Sequence, residues 1–178
     1  MHSAGEPNAG VPEPPPTAAE DGGPRWLDPE ERKTWLALVS MMVKLPAALD
    51  AQLQRDARLS NFEYQVLAGL SEAPDRTLRM SVLAAFADGS LPRLSQVVGR
   101  LERRGLVRRH PDPADGRYTL ATLTAEGADL VAKAAPGHVE TVRRLVFDPT
   151  TKAQHHRLCD IARRIVRAID PGDHCLDD

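Results

Sequence analysis

The chain has 178 residues, 42% hydrophobic and 27% charged, which fits one domain with or without tails and supplies enough apolar residues for a packed core. Its formal charge of −2 excludes a uniformly basic nucleic-acid binder but not a local basic patch. Cys159 and Cys175 are its two cysteines, too few for a disulfide framework and suited to a reducing compartment.

The N-terminal run "MHSAGEPNAGVPEPPPTAAEDGGP" has no basic n-region and no apolar h-region, so no signal peptide is expected. No stretch reaches about 18 consecutive apolar residues, so no membrane span is expected and the chain reads as cytoplasmic. Residues 1–24 are rich in Pro, Gly, Ala and acid and read as a disordered tail.

A long first helix is expected over "LDPEERKTWLALVSMMVKLPAALDAQLQRDARLS". Asp28 is its predicted N-cap, with Pro29 at N1 and Glu31 at N3. Leu38, Met42, Leu45, Leu49 and Leu53 recur at helical spacing, and Pro46 predicts a kink or a lost hydrogen bond. Ser60 is expected to cap a second helix, with Glu63 completing a capping box and Pro74 closing it. "TLRMSVLAAFADGS" reads as a third helix, capped by Ser81 and stopped at Asp88-Gly89. A fourth helix is expected from Leu91 to Arg104, ending at Gly105. "LVRRHP" and "RYTLATL" read as strands joined by the turn "DPADG". Thr124 is expected to cap a fifth helix, from about Ala125 to Val146, that Pro136-Gly137 interrupts. "TKAQHHRLCDIARRIVRAID" reads as a sixth helix, stopped by Pro171-Gly172, with residues 171–178 as a tail.

Helix, tight turn, helix and hairpin follow one another in the order of a winged helix-turn-helix. On the fourth helix Leu91, Leu94, Val97, Val98 and Leu101 form one apolar face. Pro92, Gln96, Gly99 and Arg103 lie opposite, flanked by Arg93, Ser95 and Arg100. A slim helix carrying donors on its outer face suits a major groove, where Arg reads guanine and Gln reads adenine. Ser90 at the N-cap leaves amide groups that suit a phosphate. From Arg76 to Arg117 nine arginines face four acids, a local excess of five positive charges, so the remainder of the chain carries seven net negative ones. That asymmetry suits a phosphate-binding module on an acidic body.

At the hairpin tip Asp112 and Asp115 are expected to bond turn amides, and Gly116 to supply a positive φ. Arg117 has two compatible readings: a minor-groove probe and an ion pair with Asp115.

The run from "LSNFEYQVL" to "LTAEGADL" resembles the MarR family of bacterial transcriptional regulators. The pieces that carry the resemblance are "RLSQVVGRLERRGLVRR", the wing "DPADGR" and "LTAEG", and it extends over roughly residues 28–170. The resemblance implies a mainly α fold with a small β-hairpin wing, built as a homodimer. Residues 25–59 and 125–170 would form the helical dimerisation region, and 60–124 the DNA-binding lobe. It implies double-stranded DNA as a partner, read by Ser90, Pro92, Arg93, Ser95, Gln96 and Arg100 on the recognition helix and by Asp115 and Arg117 on the wing. It also implies repression at a pseudo-palindromic site and response to a small phenolic or other aromatic anion. Trp35, Met41, Met42, Leu45, Phe62 and Tyr64 are the candidate pocket residues, and Arg93 or Arg79 would meet an anion. Two departures stand out: Pro92 in the first helical turn removes one N–H, and "FADGS" replaces the usual "LGLS".

His155 with Cys159, and His156 with Asp160, have i, i+4 spacing but reach only half a zinc site, with His174 and Cys175 beyond the helix. No metal or cofactor is expected. Cys159 has His155, His156 and Arg157 as neighbours in sequence, but redox sensing is not expected of it. No nucleophile elbow, zinc-protease motif or phosphate loop occurs, so no enzyme is expected. The alternative to DNA binding is a winged helix that binds protein.

Overall fold

The computed structural model describes residues 23–171. The expected N-terminal tail lies outside them up to residue 22, as do Gly172, His174 and Cys175 in the C-terminal tail. The chain divides between Lys44 and Leu45 into two units, each described by itself.

Helix α1, Pro29–Ala57, runs through both units. Its start follows the capping logic. The Glu31 amide donates to Asp28 Oδ1 at 2.8 Å, and the Asp28 amide donates to Glu31 Oε2 at 2.9 Å. The first unit is the N-terminal part of α1 with the residues before it, and Trp35, Leu36, Met41, Met42 and Val43 are all exposed. By length and composition α1 is apolar enough to cross a membrane, with a window of mean hydropathy 1.4. Counting uninterrupted apolar runs misses this because Lys44 and Asp50 break the run. The helix is assigned continuously through Pro46, and the boundary between units falls just before that proline.

The second unit opens with the C-terminal part of α1, where Leu53 is fully buried. Arg58, at φ 53, breaks the helix. Helix α2, Asn61–Glu72, carries the expected capping box: Glu63 N to Ser60 Oγ is 3.1 Å and Ser60 N to Glu63 Oε2 is 2.9 Å. After a 3-10 turn at Pro74–Arg76 comes strand β1, Thr77–Arg79, which the periodicity did not predict. Helix α3, Met80–Phe86, follows without a gap, so its N-cap is Arg79, with no side-chain cap bond. The expected cap Ser81 is therefore already inside the helix. Asp88 takes the left-handed conformation, φ 52, that turns the chain into α4, Leu91–Arg103.

Strands β2, Val107–Pro111, and β3, Thr119–Leu123, form the hairpin. The sheet order is β1-β3-β2, antiparallel throughout, with Arg79 opposite Leu120 and Arg109 opposite Ala121. Gly105, at φ 73, leads α4 into β2, where only glycine avoids a Cβ penalty. Gly116 does not have the expected positive φ. The wing turn instead closes on Asp side chains and a Tyr118 N to Asp115 O bond of 3.0 Å.

Helix α5, Ala125–Val142, is capped by Thr124, whose Oγ1 accepts from Gly127 N at 3.0 Å. It runs on through Pro136 instead of breaking there. Pro136 and Ala132 are both exposed, so the carbonyl that loses its partner can be hydrated. A π-helical turn at Arg143–Phe147 ends it, and α6, Lys152–Ile169, closes the described chain. The core joins Leu53, Leu59, Val66, Leu67, Leu70, Leu83, Leu94, Val98 and Leu101, all fully buried. Through Leu94, Val97, Val98 and Leu101 it fixes α4, which turns its other face outward.

Candidate nucleic-acid interface

Helix α4 begins at Ser90, whose Oγ accepts from Arg93 N at 3.4 Å. Pro92 sits in the first turn, where an N–H would have no helical partner. Pro92, Arg93, Ser95, Gln96, Arg100 and Arg103 are exposed and Gly99 is half-buried. Leu91 departs from the expected apolar face: it is 48% exposed, because the first residue of α4 lies over the open side toward the wing.

Two of these cations are braced by α2. The Arg93 guanidinium stacks 4.2 Å from the Phe62 ring centre, a cation–π contact. Arg100 Nε meets Glu63 Oε1 at 3.3 Å. Arg93, Arg100 and Phe62 border an open cavity of about 740 Å³ together with Asp50, Gln65 and Gln96. Of the six candidate pocket residues, only Phe62 lines it. Tyr64 is buried elsewhere, its ring 4.5 Å from that of His138. Leu45 is half-buried, and Trp35, Met41 and Met42 are exposed in the first unit.

The wing is held by its acids. Asp112 Oδ1 accepts from Ala114 N at 2.9 Å, and Asp112 Oδ2 takes Arg79 Nε at 3.0 Å. The Ala114 amide bond, with help from Arg79, holds the Asp112 carboxyl below its ordinary pKa. Asp115 pairs with Arg117 at 2.6 Å. That contact, with the Arg117 amide, likewise lowers the Asp115 pKa, and it raises that of Arg117. The Arg117 side chain is still 83% exposed, so the ion pair leaves it open to solvent.

Glu102 on α4 was not singled out from sequence. Its Oε1 accepts from Arg109 N at 2.9 Å and its Oε2 from Arg109 Nη2 at 2.8 Å. The backbone bond first, then the side-chain bonds, hold Glu102 below the usual carboxylate pKa. This ties β2 to the helix. Its sequence signal is the spacing from Glu102 to Arg109 across the glycine turn.

The remaining candidates gather nowhere. His155 bonds Thr150 Oγ1 at 2.9 Å and lies near the Phe147 carbonyl. Cys159 is exposed, and no group of three or more His, Cys, Asp or Glu suited to a metal occurs among the described residues.

A helix pair with a tight turn, a donor-rich outward face on its second helix and a β-hairpin beside it define a winged helix-turn-helix protein. The MarR family model matches residues 59–117. The transcriptional regulator HosA of Escherichia coli is 36% identical over 78 residues, covering 44% of this chain and 56% of that protein; the chain thus spans little more than half the length of that relative. Among solved structures, Sco3205 of Streptomyces coelicolor, a MarR family transcriptional regulator in complex with DNA, superposes with a TM-score of 0.82 at 41% identity, covering 85% of this chain and 95% of that one. AbsC of the same organism, a MarR family transcriptional regulator, gives 0.79 at 32% identity, with 82% and 98% covered. The chain belongs to the MarR family of transcriptional regulators.

Proposed function

We propose that the chain binds double-stranded DNA as a homodimer and represses transcription from a pseudo-palindromic operator in the cytoplasm, without catalysis. The observation that carries this reading is α4: an apolar face locked into the core and an opposite face of Pro92, Arg93, Ser95, Gln96 and Arg100 left in solvent. Ser90 and these five residues would enter the major groove. Asp115 would hold Arg117 for the adjacent groove. The likeness to Sco3205, solved with DNA, supports the same assignment.

Dimerisation is supported by α6. None of its residues is buried, yet Leu158, Ile161, Ile165 and Ile169 line up on one face. Such a face buries itself against a partner. The exposed apolar residues of α1 have the same need. A two-fold dimer would present its two recognition helices about 34 Å apart, one DNA turn.

Release by a small aromatic anion is the proposed control. The cavity beside Phe62 shares Arg93, Gln96 and Arg100 with the DNA-facing set, so a bound anion would compete for the same cations. It shifts the equilibrium only by its difference in affinity between free and DNA-bound forms.

The test is an electrophoretic shift with genomic promoter fragments against random duplex. Arg93→Ala and Arg117→Ala are expected to weaken the specific complex by about 1–3 kcal/mol each. An unchanged shift in both variants overturns the site assignment. Absence of any shift, with capture of a protein partner instead, overturns the DNA reading.

A further inference from the structure

Between α4 and the wing hairpin lies an open cleft of about 280 Å³, bordered by Arg79, Ser81, Leu91, Ser95, Arg109 and Arg117 among others. Three arginines, from β1, β2 and the wing turn, border it, and each is held along the same Nε–Nη2 edge of its guanidinium. Asp112 takes Arg79 by Nε and Nη2, at 3.0 and 2.8 Å. Glu102 takes Arg109 by Nε and Nη2, at 3.0 and 2.8 Å. Asp115 takes Arg117 by the same two nitrogens, at 2.9 and 2.6 Å. None of the three carboxylates borders the cleft.

A guanidinium held along its Nε–Nη2 edge keeps the Nη1 donors on the far side, in a fixed plane. The carboxylates act as anchors, and the ordering entropy of three long side chains is already met in the free protein. Arg79 is braced further by the Tyr118 ring, 4.3 Å away. Ser81 and Ser95 add hydroxyl donors. Three isolated surface ion pairs would account for each contact singly, but not for three arginines bordering one cleft that none of their acids borders.

The proposed function gives this cleft an occupant. If α4 lies in a major groove and the wing in the neighbouring minor groove, the DNA strand that separates the grooves must cross the space between them. We infer that the cleft between α4 and the wing is a phosphodiester site, in which Arg79 and Arg109 clamp the backbone strand running between the two grooves. This inference rests on the DNA-binding reading. Arg109 suits the role because its guanidinium stands beside Gly99 at the margin of the outward face of α4: Nη2, the nitrogen that Glu102 holds, lies 3.6 Å from where a Cβ on Gly99 would stand. These contacts hold register and carry no base information.

The test uses the full chain and fluorescence anisotropy with a duplex of arbitrary sequence, read across a salt series. Arg109→Gln and Arg79→Gln are each expected to lower the salt slope by about 0.9 per lost phosphate contact, whereas Arg109→Lys keeps it. Between about 50 and 200 mM salt this makes the loss of affinity roughly threefold smaller per contact than in the wild type. A steep wild-type slope that neither Gln variant changes overturns the clamp and leaves the DNA reading intact. No binding of any duplex by the wild type overturns both.

Arg79→Gln strands the buried Asp112, so the unmodified protein supplies a second measurement. The Nε–H resonances of Arg79 and Arg109 are expected to move on addition of duplex and to stay still in inorganic phosphate of equal ionic strength. Saturable movement in sub-millimolar phosphate without DNA overturns the phosphodiester assignment in favour of a free-anion site. Stationary resonances on duplex binding overturn the clamp.

Discussion

Glu63 on α2 and Arg100 on α4 are joined across the helix pair, Arg100 Nε to Glu63 Oε1, at 3.3 Å. Glu63 holds the Ser60 amide with its other oxygen, so one carboxylate caps α2 and steadies a DNA-facing arginine. The Glu63 side chain is 10% exposed and that of Arg100 49%, which makes the two ends unequal. Glu63→Ala is expected to cost about 1–2 kcal/mol in urea denaturation, mostly as a lost cap. Arg100→Ala is expected to cost about 0.5 kcal/mol, since a half-exposed pair is screened. A double-mutant cycle giving a coupling above about 2 kcal/mol would contradict this division.

Gly127, near the start of α5, has no room for a side chain. A Cβ there would fall on the Leu106 carbonyl and the Leu123 side chain. Backbone cannot swing aside, so Gly127→Ala is expected to destabilise by about 2–3 kcal/mol. At Gly69 the obstacle is the Phe86 ring, which is itself 47% exposed and can rotate. Gly69→Ala is therefore expected to cost less, about 1 kcal/mol. Thermal melts of the two variants compare them directly, and the reverse order would show that α5 can shift.

His138 makes a pH prediction. Its ring packs on Tyr64, and its Nδ1 lies 3.2 Å from Gln52 Oε1, whose amide donates to Asp56 at 2.8 Å. Burial depresses its pKa. The unfolded chain then binds more protons than the folded one between the depressed value and the ordinary one near about 6.5. Stability is unaffected above that range and falls as pH drops into it. His138→Gln is expected to flatten the slope of unfolding free energy between about pH 7.5 and 5.5. The depressed carboxylates Glu102, Asp112 and Asp115 act in a lower window. Their stabilisation is present above the ordinary carboxylate values and is lost as pH falls through the depressed ones. A slope that survives His138→Gln would place the titrating group elsewhere.

The apolar row on α6 predicts an oligomer. Ile161→Asp with Ile165→Asp is expected to convert a dimer into monomers in sedimentation velocity, with circular dichroism of the winged lobe retained. DNA affinity would fall with it, because each half-site would then be bound alone. A wild-type monomer at micromolar concentration would contradict the dimer.

Local chemistry made much of the fold legible. Asp28, Ser60, Ser90 and Thr124 were readable as caps because each acts on an amide two or three residues away. The amphipathic pattern of α4 was readable for the same reason. Strand β1 was not. Its three residues pair with β3 across more than 40 positions, Thr77 opposite Thr122, and that pairing leaves no local periodicity. The cap assigned to Ser81 failed with it, since the strand runs directly into α3. Pro136 was misread because its effect on a helix depends on whether the freed carbonyl meets water, which is a property of the folded surface.

The sequence by itself determined the helices, the turn, the hairpin, the arginine-rich segment and hence the winged helix-turn-helix class, because these rest on short-range spacing and composition. The Asp115–Arg117 pair was legible two residues apart, but only the tertiary structure decided the long-range pairs of arginine and acid. Arg79 reaches Asp112 across 33 positions and Arg100 reaches Glu63 across 37. Those pairs form because packing α3 and α4 over the sheet brings distant side chains within hydrogen-bond distance. That packing also gathers Arg79, Arg109 and Arg117 around one cleft, an arrangement that no local pattern in the chain encodes.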